Sequence, residues 1–285
     1  MKDENVFEKI RKNYNELTNR QKPVAKFILD EPKQVALHPA KKIGELTSTS
    51  ETTVIRLCYA LGYSGYTSLQ NDIRYSLLNE KEDPLEKLKN ITGDLKDVDH
   101  LVKNVIEDDV SYIQQTLQKL DMSSYHKSIK AMIEAKNIIV VGFRSSYASA
   151  HWLAYTLNII KGNVHLFRGE MEDANYLINR VNEDYLIIAL SFPRYTESTI
   201  RFVSAAKLKG AKVLAITDDE LSPIGPLADL LLKVVTATPT TLKGMPVIFS
   251  LLNLLVAGVS ATDKANVQQR IHEYNQTSRQ LDSIK

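Results

Sequence analysis

The spacing of apolar residues differs between the two parts of this chain. Up to residue 78, apolar residues recur every three or four positions, the period of helices that bury one face. This spacing predicts helices over 6–14, 19–29, 32–37, 40–46, 50–61 and 66–78. Pro23, Pro32 and Pro39 lie near predicted helix starts, where a missing amide hydrogen costs little. We therefore expect an all-α first domain.

The later part of the chain contains five short aliphatic runs, at 137–142, 164–167, 185–190, 212–217 and 230–235. They show no alternation of polar and apolar residues, which is typical of parallel strands buried on both faces. Helical stretches at 147–160, 171–179 and 197–209 separate them. This pattern predicts an α/β domain with a doubly wound, flavodoxin-like, five-stranded parallel sheet.

Charge and spacing indicate where the two parts join. Residues 79–99 are highly charged and contain Pro84 and Gly93, so we interpret them as a connection, followed by a helix over 100–120 that packs on the second domain or a partner chain. We accordingly divide the chain into residues 1–78, 79–120, 121–262 and 263–285. The last segment is predicted to be an amphipathic helix that docks on a neighbouring subunit, with apolar residues at Val267, Ile271, Tyr274 and Leu281.

Three features predict a cytoplasmic protein without a membrane partner. The N-terminal residues lack the apolar core of a secretory signal, and the single cysteine, Cys58, excludes an intrachain disulfide and a cysteine metal cluster. The apolar run 247–259 is interrupted by Ser250 and Asn253 and is too short to cross about 30 Å of hydrocarbon. It is predicted to be a buried helix. We expect no metal and no cofactor.

Residues 41–65 have the layout of a DNA-reading helix-turn-helix: two short helices joined by a tight polar turn. Ser50 is a suitable N-cap for the second helix, because its hydroxyl can accept a hydrogen bond from a first-turn amide. One face of this helix is apolar, with Val54, Leu57, Cys58 and Leu61, and the other presents Thr52, Thr53, Arg56 and Tyr59. Candidate DNA-binding residues are Ser48, Ser50, Thr52, Thr53 and Arg56.

Charge limits how this module would bind DNA. The net charge is +2 for the whole chain, and residues 1–78 carry 12 Lys/Arg against 9 Asp/Glu, a net +3. Such weak basicity gives little counterion release, so affinity must come from placed contacts and from dimerisation. Two alternatives remain open: the helices only pack against protein partners, or Arg56 pairs with Glu45 or Glu51 instead of with DNA.

Two turns that follow predicted strands could bind an anion. Each leads into a helix and combines hydroxyls with a guanidinium, and ligands of such sheets bind at the carboxyl ends of the strands. The candidate effector-binding residues are Gly142, Arg144, Ser145, Ser146, Ser191, Arg194 and Thr196. Two alternatives are that the hydroxyls merely cap the helices that follow and that the arginines bridge acidic groups within a dimer.

Several strings resemble the RpiR/MurR family of bacterial transcription regulators, over about residues 17–259. They are LTNRQKPVAKFIL, SETTVIRLCYALGYSGY and the two strand-turn pairs. The resemblance implies an N-terminal helix-turn-helix and a C-terminal sugar isomerase (SIS) domain that senses a phosphosugar without transforming it. Because a single weakly basic module would bind poorly, we expect a homodimer or homotetramer that binds double-stranded DNA at a palindromic operator.

The chain departs from the family pattern in both ligand turns. Arg144 replaces the second glycine of Gly-x-Gly-x-Ser, and Pro193 and Arg194 replace the second serine and the glycine of Ser-x-Ser-Gly-x-Thr. In the DNA module, Thr49 stands where relatives usually have a small apolar residue. The added arginines predict an anionic sugar effector, either a sugar phosphate or a sugar acid.

Two rival functions remain. A sugar phosphate isomerase with an accessory helical domain would need a proton-transfer base, and the candidates near the predicted crevice are Glu170, Glu172, Glu197 and His151. An architectural DNA binder would have no ligand at all.

Overall fold

The computed structural model describes residues 5–79, 98–235 and 244–283. The chain divides into two compact units, Met1–Asp83 and Pro84–Lys285, and each is described by itself. Most of the charged segment interpreted as a connection, 79–99, lies outside the described residues.

The first unit is helical throughout its described part, as predicted. Its helices are α1 (Val6–Asn13), α2 (Lys22–Asp30), α3 (Pro32–Leu37), α4 (Ala40–Leu46), α5 (Glu51–Ala60) and α6 (Tyr66–Asn79). The second helix begins three residues later than predicted, because residues 18–21 form a separate turn in which the Gln21 side chain accepts the Thr18 amide. The prolines begin helices as expected: Pro23 and Pro32 lie in first turns, and Pro39 precedes α4.

One apolar core holds these helices together. Every helix contributes fully buried side chains, among them Ile10, Ile28, Val35, Ile43, Leu57 and Ile73. Polar groups of α6 also satisfy the carbonyls at the end of α3, since the Tyr66 hydroxyl and the Gln70 amide both donate to Val35 and His38. The Arg74 guanidinium donates to Ala36 at 2.8 Å. Helix α6 therefore fixes the entry into α4 and α5.

Helices α4 and α5 approach each other most closely at Gly44. A Cβ atom built on Gly44 would lie 3.0–3.1 Å from backbone atoms of Thr49, Ser50 and Glu51. Backbone atoms cannot yield as a flexible side chain can, so a larger residue at position 44 would require the backbone of this turn to shift. Sequence reasoning missed this role of Gly44.

The second unit contains the predicted five-stranded, all-parallel sheet. Its strands are β1 (Asn137–Val141), β2 (Val164–Leu166), β3 (Tyr185–Leu190), β4 (Lys212–Thr217) and β5 (Leu230–Lys233). They lie in the order β2-β1-β3-β4-β5, the doubly wound order expected of a flavodoxin-like sheet. The predicted fold class is confirmed.

Helices cover both faces of the sheet, which explains the missing alternation in the strand sequences. In β1, Ile138 and Val140 face one core, whereas Ile139 and Val141 face the other. The first core contains α8 (Met122–Glu134), α9 (Ser146–Ile160) and α12 (Met245–Thr262), and the second contains α10 (Ala174–Arg180) and α11 (Glu197–Leu208). Successive strand residues point to opposite faces, so both must be apolar here.

Helices α7 (Val98–Lys119) and α13 (Lys264–Ser283) flank this layered core in sequence.

The predicted start of the helix at 171–179 is wrong. Residues Gly169–Met171 form a 3-10 turn instead, and α10 begins at Ala174 because the Asp173 carboxylate accepts the amides of Asn175 and Tyr176. A side-chain cap of this kind ends the preceding turn and starts a new helix.

Helix α12 is the described helix whose length and apolar composition would also suit a membrane span. Its side chains Val247, Leu251, Leu252, Leu255 and Val259 are nevertheless buried in the core of the sheet domain. One face of this run is therefore buried as predicted, whereas Asn253 and Leu254 lie on an exposed face.

Replacing Gly44 with Ala should destabilise the first unit. Replacing a glycine with Ala in an ordinary helix interior stabilises the helix by about 1 kcal/mol. At Gly44 we expect the opposite sign, a loss of about 1–3 kcal/mol, because the new methyl group forces α4 and α5 apart. Hydrogen exchange of the α4 and α5 amides measures this opening, and slower exchange in Gly44→Ala would contradict the close-approach argument.

Candidate functional site

The two predicted ligand turns meet at the carboxyl edge of the sheet. Strands β1 and β3 are neighbours, with Val141 paired to Ala189, so the turns that follow them lie side by side. Between them is a cavity of about 90 Å³. Ligand pockets for whole drug-sized molecules occupy about 300–1,000 Å³, so this enclosed space suits a single head group.

The structure brings six of the seven predicted effector residues to this cavity: Arg144, Ser145, Ser146, Ser191, Arg194 and Thr196. Gly142 is not among the lining residues. It is buried behind the turn, where a Cβ atom would lie 3.0–3.2 Å from Ser146 and Ala150 of α9. Its place is structural: it allows α9 to start close against the end of β1. Five further lining residues were not among the predicted effector residues: Phe143, Leu190, Phe192, Pro193 and Thr199.

The hydroxyls of the two turns do not act as helix caps. Ser145 and Thr196 occupy the N-cap positions of α9 and α11, yet neither side chain accepts a hydrogen bond from its helix. Asp121 and Asp173, at the starts of α8 and α10, each accept two such bonds. The capping alternative therefore does not explain the serine and threonine at these two helix starts.

Ser191 contributes a buried hydroxyl to the cavity wall. Its side chain is 3% exposed, and its Oγ has no hydrogen-bond partner among the described residues. Leaving a buried polar group unpaired costs about 1–3 kcal/mol. A ligand in the cavity would relieve that cost by pairing with Ser191 Oγ.

Arg144 and Arg194 adopt a backbone conformation that favours glycine. Their φ angles are 54° and 67°, in the left-handed region, where a residue with a Cβ is disfavoured by roughly 1–2 kcal/mol. Both arginines stand where the resembled family carries glycine. Backbone strain of this kind, at two positions of one cavity, is characteristic of functional sites.

The cavity has a positive electrostatic character. Arg144 and Arg194 line it, and none of its described lining residues is acidic. Within the described part of the chain, neither guanidinium forms an ion pair with Asp or Glu. Two cations without a neutralising acid, beside hydroxyl donors, form a site for an anion.

Tyr195 fixes the second turn from behind. Its hydroxyl donates to Asp218 at 2.9 Å, just beyond the end of β4. Burial, followed by the charge of Asp218, raises the pKa of Tyr195 above its ordinary value, so the hydroxyl keeps its proton. This contact joins residues 23 apart in sequence, and no local motif signals it.

The candidates for a proton-transfer base are absent from the described cavity lining. Glu172 bonds His165 at 2.7 Å, and Glu197 bonds Arg201 at 2.6 Å. Glu170 and His151 are exposed, and the His151 ring contacts Tyr147 edge-on. None of the four candidates is therefore placed at the described cavity to act as the base that sugar isomerisation requires.

In the first unit, α5 presents the predicted polar face. Val54, Leu57 and Cys58 are fully buried, whereas Thr52 and Arg56 are exposed. The Ser50 hydroxyl caps the helix as predicted, accepting the Thr53 amide at 3.2 Å. Arg56 does not pair with Glu45, which instead contacts Lys42 at 3.3 Å.

The turn before α5 is closed by backbone hydrogen bonds. The Thr49 amide donates to Gly44 and the Ser48 amide to Glu45, the pattern that ends a helix with a left-handed residue. That residue is Ser48, with φ of 53°. The turn sets the direction in which α5 leaves α4.

Comparisons with known proteins agree with both units. Residues 4–80 match the model of the helix-turn-helix domain of the rpiR family, and residues 131–258 match the SIS domain model. An uncharacterised HTH-type transcriptional regulator of Thermotoga maritima is 25% identical over 228 residues, which cover 80% of each chain.

Solved structures share the fold. NanR of Vibrio vulnificus, in complex with ManNAc-6P, superposes with a TM-score of 0.60 at 21% identity, covering 97% of this chain and 99% of that chain. Phosphoheptose isomerase GmhA of Neisseria gonorrhoeae matches with a TM-score of 0.51 at 15% identity, covering 59% of this chain and all of that one. The chain therefore belongs to the RpiR family of transcriptional regulators, with an N-terminal helix-turn-helix and a C-terminal SIS domain.

Proposed function

We propose that this regulator binds an anionic sugar metabolite at the two turns after β1 and β3, and that this ligand alters operator binding. The proposal rests on Arg144 and Arg194, whose backbone φ angles lie in the left-handed region. Both line a cavity whose described lining contains no acidic residue. Each arginine destabilises its turn relative to glycine. Backbone strain at two positions of one site is expected if both guanidinium groups bind the effector, because binding then offsets the strain.

The cavity suits the charged end of a sugar phosphate or a sugar acid. Its volume of about 90 Å³ would take a phosphate or carboxylate, with the rest of the sugar outside the enclosed part. Arginine holds either group through two parallel hydrogen bonds. NanR of similar fold was solved with ManNAc-6P, which supports a sugar phosphate as the first class to test.

The DNA-binding part of the proposal rests on α5. Ser48, Ser50, Thr52, Thr53 and Arg56 would contact a duplex operator, with Thr52 and Arg56 on the exposed face. A homodimer or homotetramer would place two such helices one helical turn of DNA apart, or a multiple of it, on a palindrome in the cytoplasm. The effector would act by binding two quaternary arrangements with different affinity.

The rival proposal is a sugar phosphate isomerase, because GmhA shares the sheet fold. The position of the four base candidates away from the described cavity lining argues against it. A screen of sugar phosphates and sugar acids tests both functions together. The regulator is expected to be stabilised by a ligand that it does not consume, and steady conversion of a hexose phosphate would contradict the proposal.

Replacing Arg144 or Arg194 with Gly should raise the stability of the ligand-free protein and weaken its response to ligand. Relief of the left-handed strain is expected to stabilise the ligand-free protein by about 1 kcal/mol. The same change should remove most of the thermal stabilisation by the effector, which for wild type amounts to about 2.7 kcal/mol at a ligand concentration 100 times Kd.

Asn163→Gly is the matched control for these two variants. Asn163 also has a left-handed φ, 56°, but it does not line the described cavity. Its replacement should leave the effector response intact. An unchanged ligand response in Arg144→Gly and Arg194→Gly would remove both arginines from the site.

Ser191→Ala should weaken effector binding without destabilising the ligand-free protein, because the lost hydroxyl has no partner among the described residues. Ser128→Ala is the control: its buried hydroxyl donates to the Ser124 carbonyl at 2.7 Å, and Ser128 does not line the described cavity. That variant should lose about 1 kcal/mol and keep its ligand response. Differential scanning fluorimetry reports both quantities, and a destabilised Ser191→Ala would contradict the assignment.

Replacing Thr53 and Arg56 together with Ala should abolish operator binding and leave the oligomer intact. The probe is a duplex selected by the wild type from a random pool, and a gel-shift titration measures the affinity. Lys26→Ala removes an exposed cation from α2 and serves as the control, with near wild-type binding expected. Binding retained by the double variant would show that α5 does not read the operator.

A further inference from the structure

Helix α7 carries an exposed apolar stripe. Val102, Ile106, Val110 and Leu117 are 62%, 60%, 48% and 61% exposed, and their spacing places them along one side of the helix. The adjoining side holds α7 on the sheet domain, through Tyr112, Ile113 and the Thr116 hydroxyl, which accepts the Val235 amide at 2.8 Å. The stripe is thus presented by an anchored helix. Contiguous exposed apolar surface of this kind marks an interaction site.

Helix α13 is also exposed over most of its described length. Val267 is buried at its start, and Tyr274 forms a hydrogen bond with Tyr155 of α9. Ile271, Tyr274 and Leu281 are 37%, 45% and 64% exposed. Most of the stability of a helix in a protein comes from packing of its apolar face, so we expect these exposed apolar side chains of α13 to have a packing partner.

The two exposed stripes match in spacing and in charge. Exposed apolar residues at 102, 106, 110 and 117 of α7, and at 271, 274 and 281 of α13, follow steps of three, four or seven, as in packed helix pairs. Helix α7 has four acids and two bases, with the run Glu107-Asp108-Asp109 between Ile106 and Val110. Helix α13 has three bases and two acids. Opposite net charges favour their contact.

We propose that the α7 stripe of one subunit packs against α13 of a second copy of this chain. A two-fold dimer would form this contact twice and cover all four exposed surfaces, which closes the assembly. A symmetric pairing of α7 with α7 centred on Val110 is less favourable, because it would bring the two acidic runs together. The inference rests on the homo-oligomer of the proposed function and assigns its interface.

Cysteine cross-linking tests this interface. Val110→Cys and Leu281→Cys variants with tags of different mass are co-expressed and treated with a short bismaleimide reagent. The native Cys58 is fully buried, and burial raises its thiol pKa to about 11, so it does not compete. We expect a covalent heterodimer in the co-expressed sample and little product from either variant alone. Gln118→Cys, exposed on another side of α7, replaces Val110→Cys in the control and should give little heterodimer.

The outcomes separate this inference from the proposed function. Cross-linking of Val110→Cys with itself would show that α7 pairs with α7, and absence of the heterodimer in a protein that sediments as a dimer would place the interface elsewhere. Either result overturns the inference while effector-dependent DNA binding still stands. A monomeric wild type would overturn the inference and the proposed homo-oligomer together. Val110→Glu should weaken dimerisation at least tenfold with unchanged circular dichroism, and an intact dimer would contradict the assignment.

Discussion

The parallel pairing of β1 with β3 is the constraint on which the candidate site depends. The two strands lie 44 or more residues apart in sequence, yet their register places Val141 beside Ala189 and brings the following turns to one cavity. The pairing is stable because each strand is apolar on both faces and each face is covered by helices. The sheet therefore provides a rigid base, and the chemistry lies in two short turns.

The two turns after β1 and β3 contain several features that destabilise them locally. Arg144 and Arg194 have φ angles that favour glycine, Ser191 Oγ is buried without a partner in the described chain, and Ser145 and Thr196 do not cap their helices. Elsewhere, Ser50, Asp121 and Asp173 do cap the helices that they begin. The contrast within one chain supports a site shaped for a ligand, since local costs concentrate where binding can offset them.

The spacing of apolar residues was sufficient to predict the fold. Helices that bury one face and strands that are buried on both faces each leave a recognisable local pattern in the sequence. The spacing also predicted most of the cavity, since the flavodoxin-like order implies that the turns after β1 and β3 are neighbours. It could not predict contacts between distant residues, such as Tyr195 with Asp218, or the close approach at Gly44. The late start of α10 was missed because the Asp173 cap outweighed the helical spacing around it.

In the proposed function, a bound anionic sugar changes DNA affinity through Arg144 and Arg194. The direct measurement is the Kd for operator DNA, by fluorescence anisotropy at fixed salt, with and without saturating effector, in wild type and in the Arg144→Gly/Arg194→Gly double variant. We expect equal Kd values without effector and a shift of at least fivefold in wild type alone. Equal shifts in both proteins, or none in wild type, would contradict the proposed function.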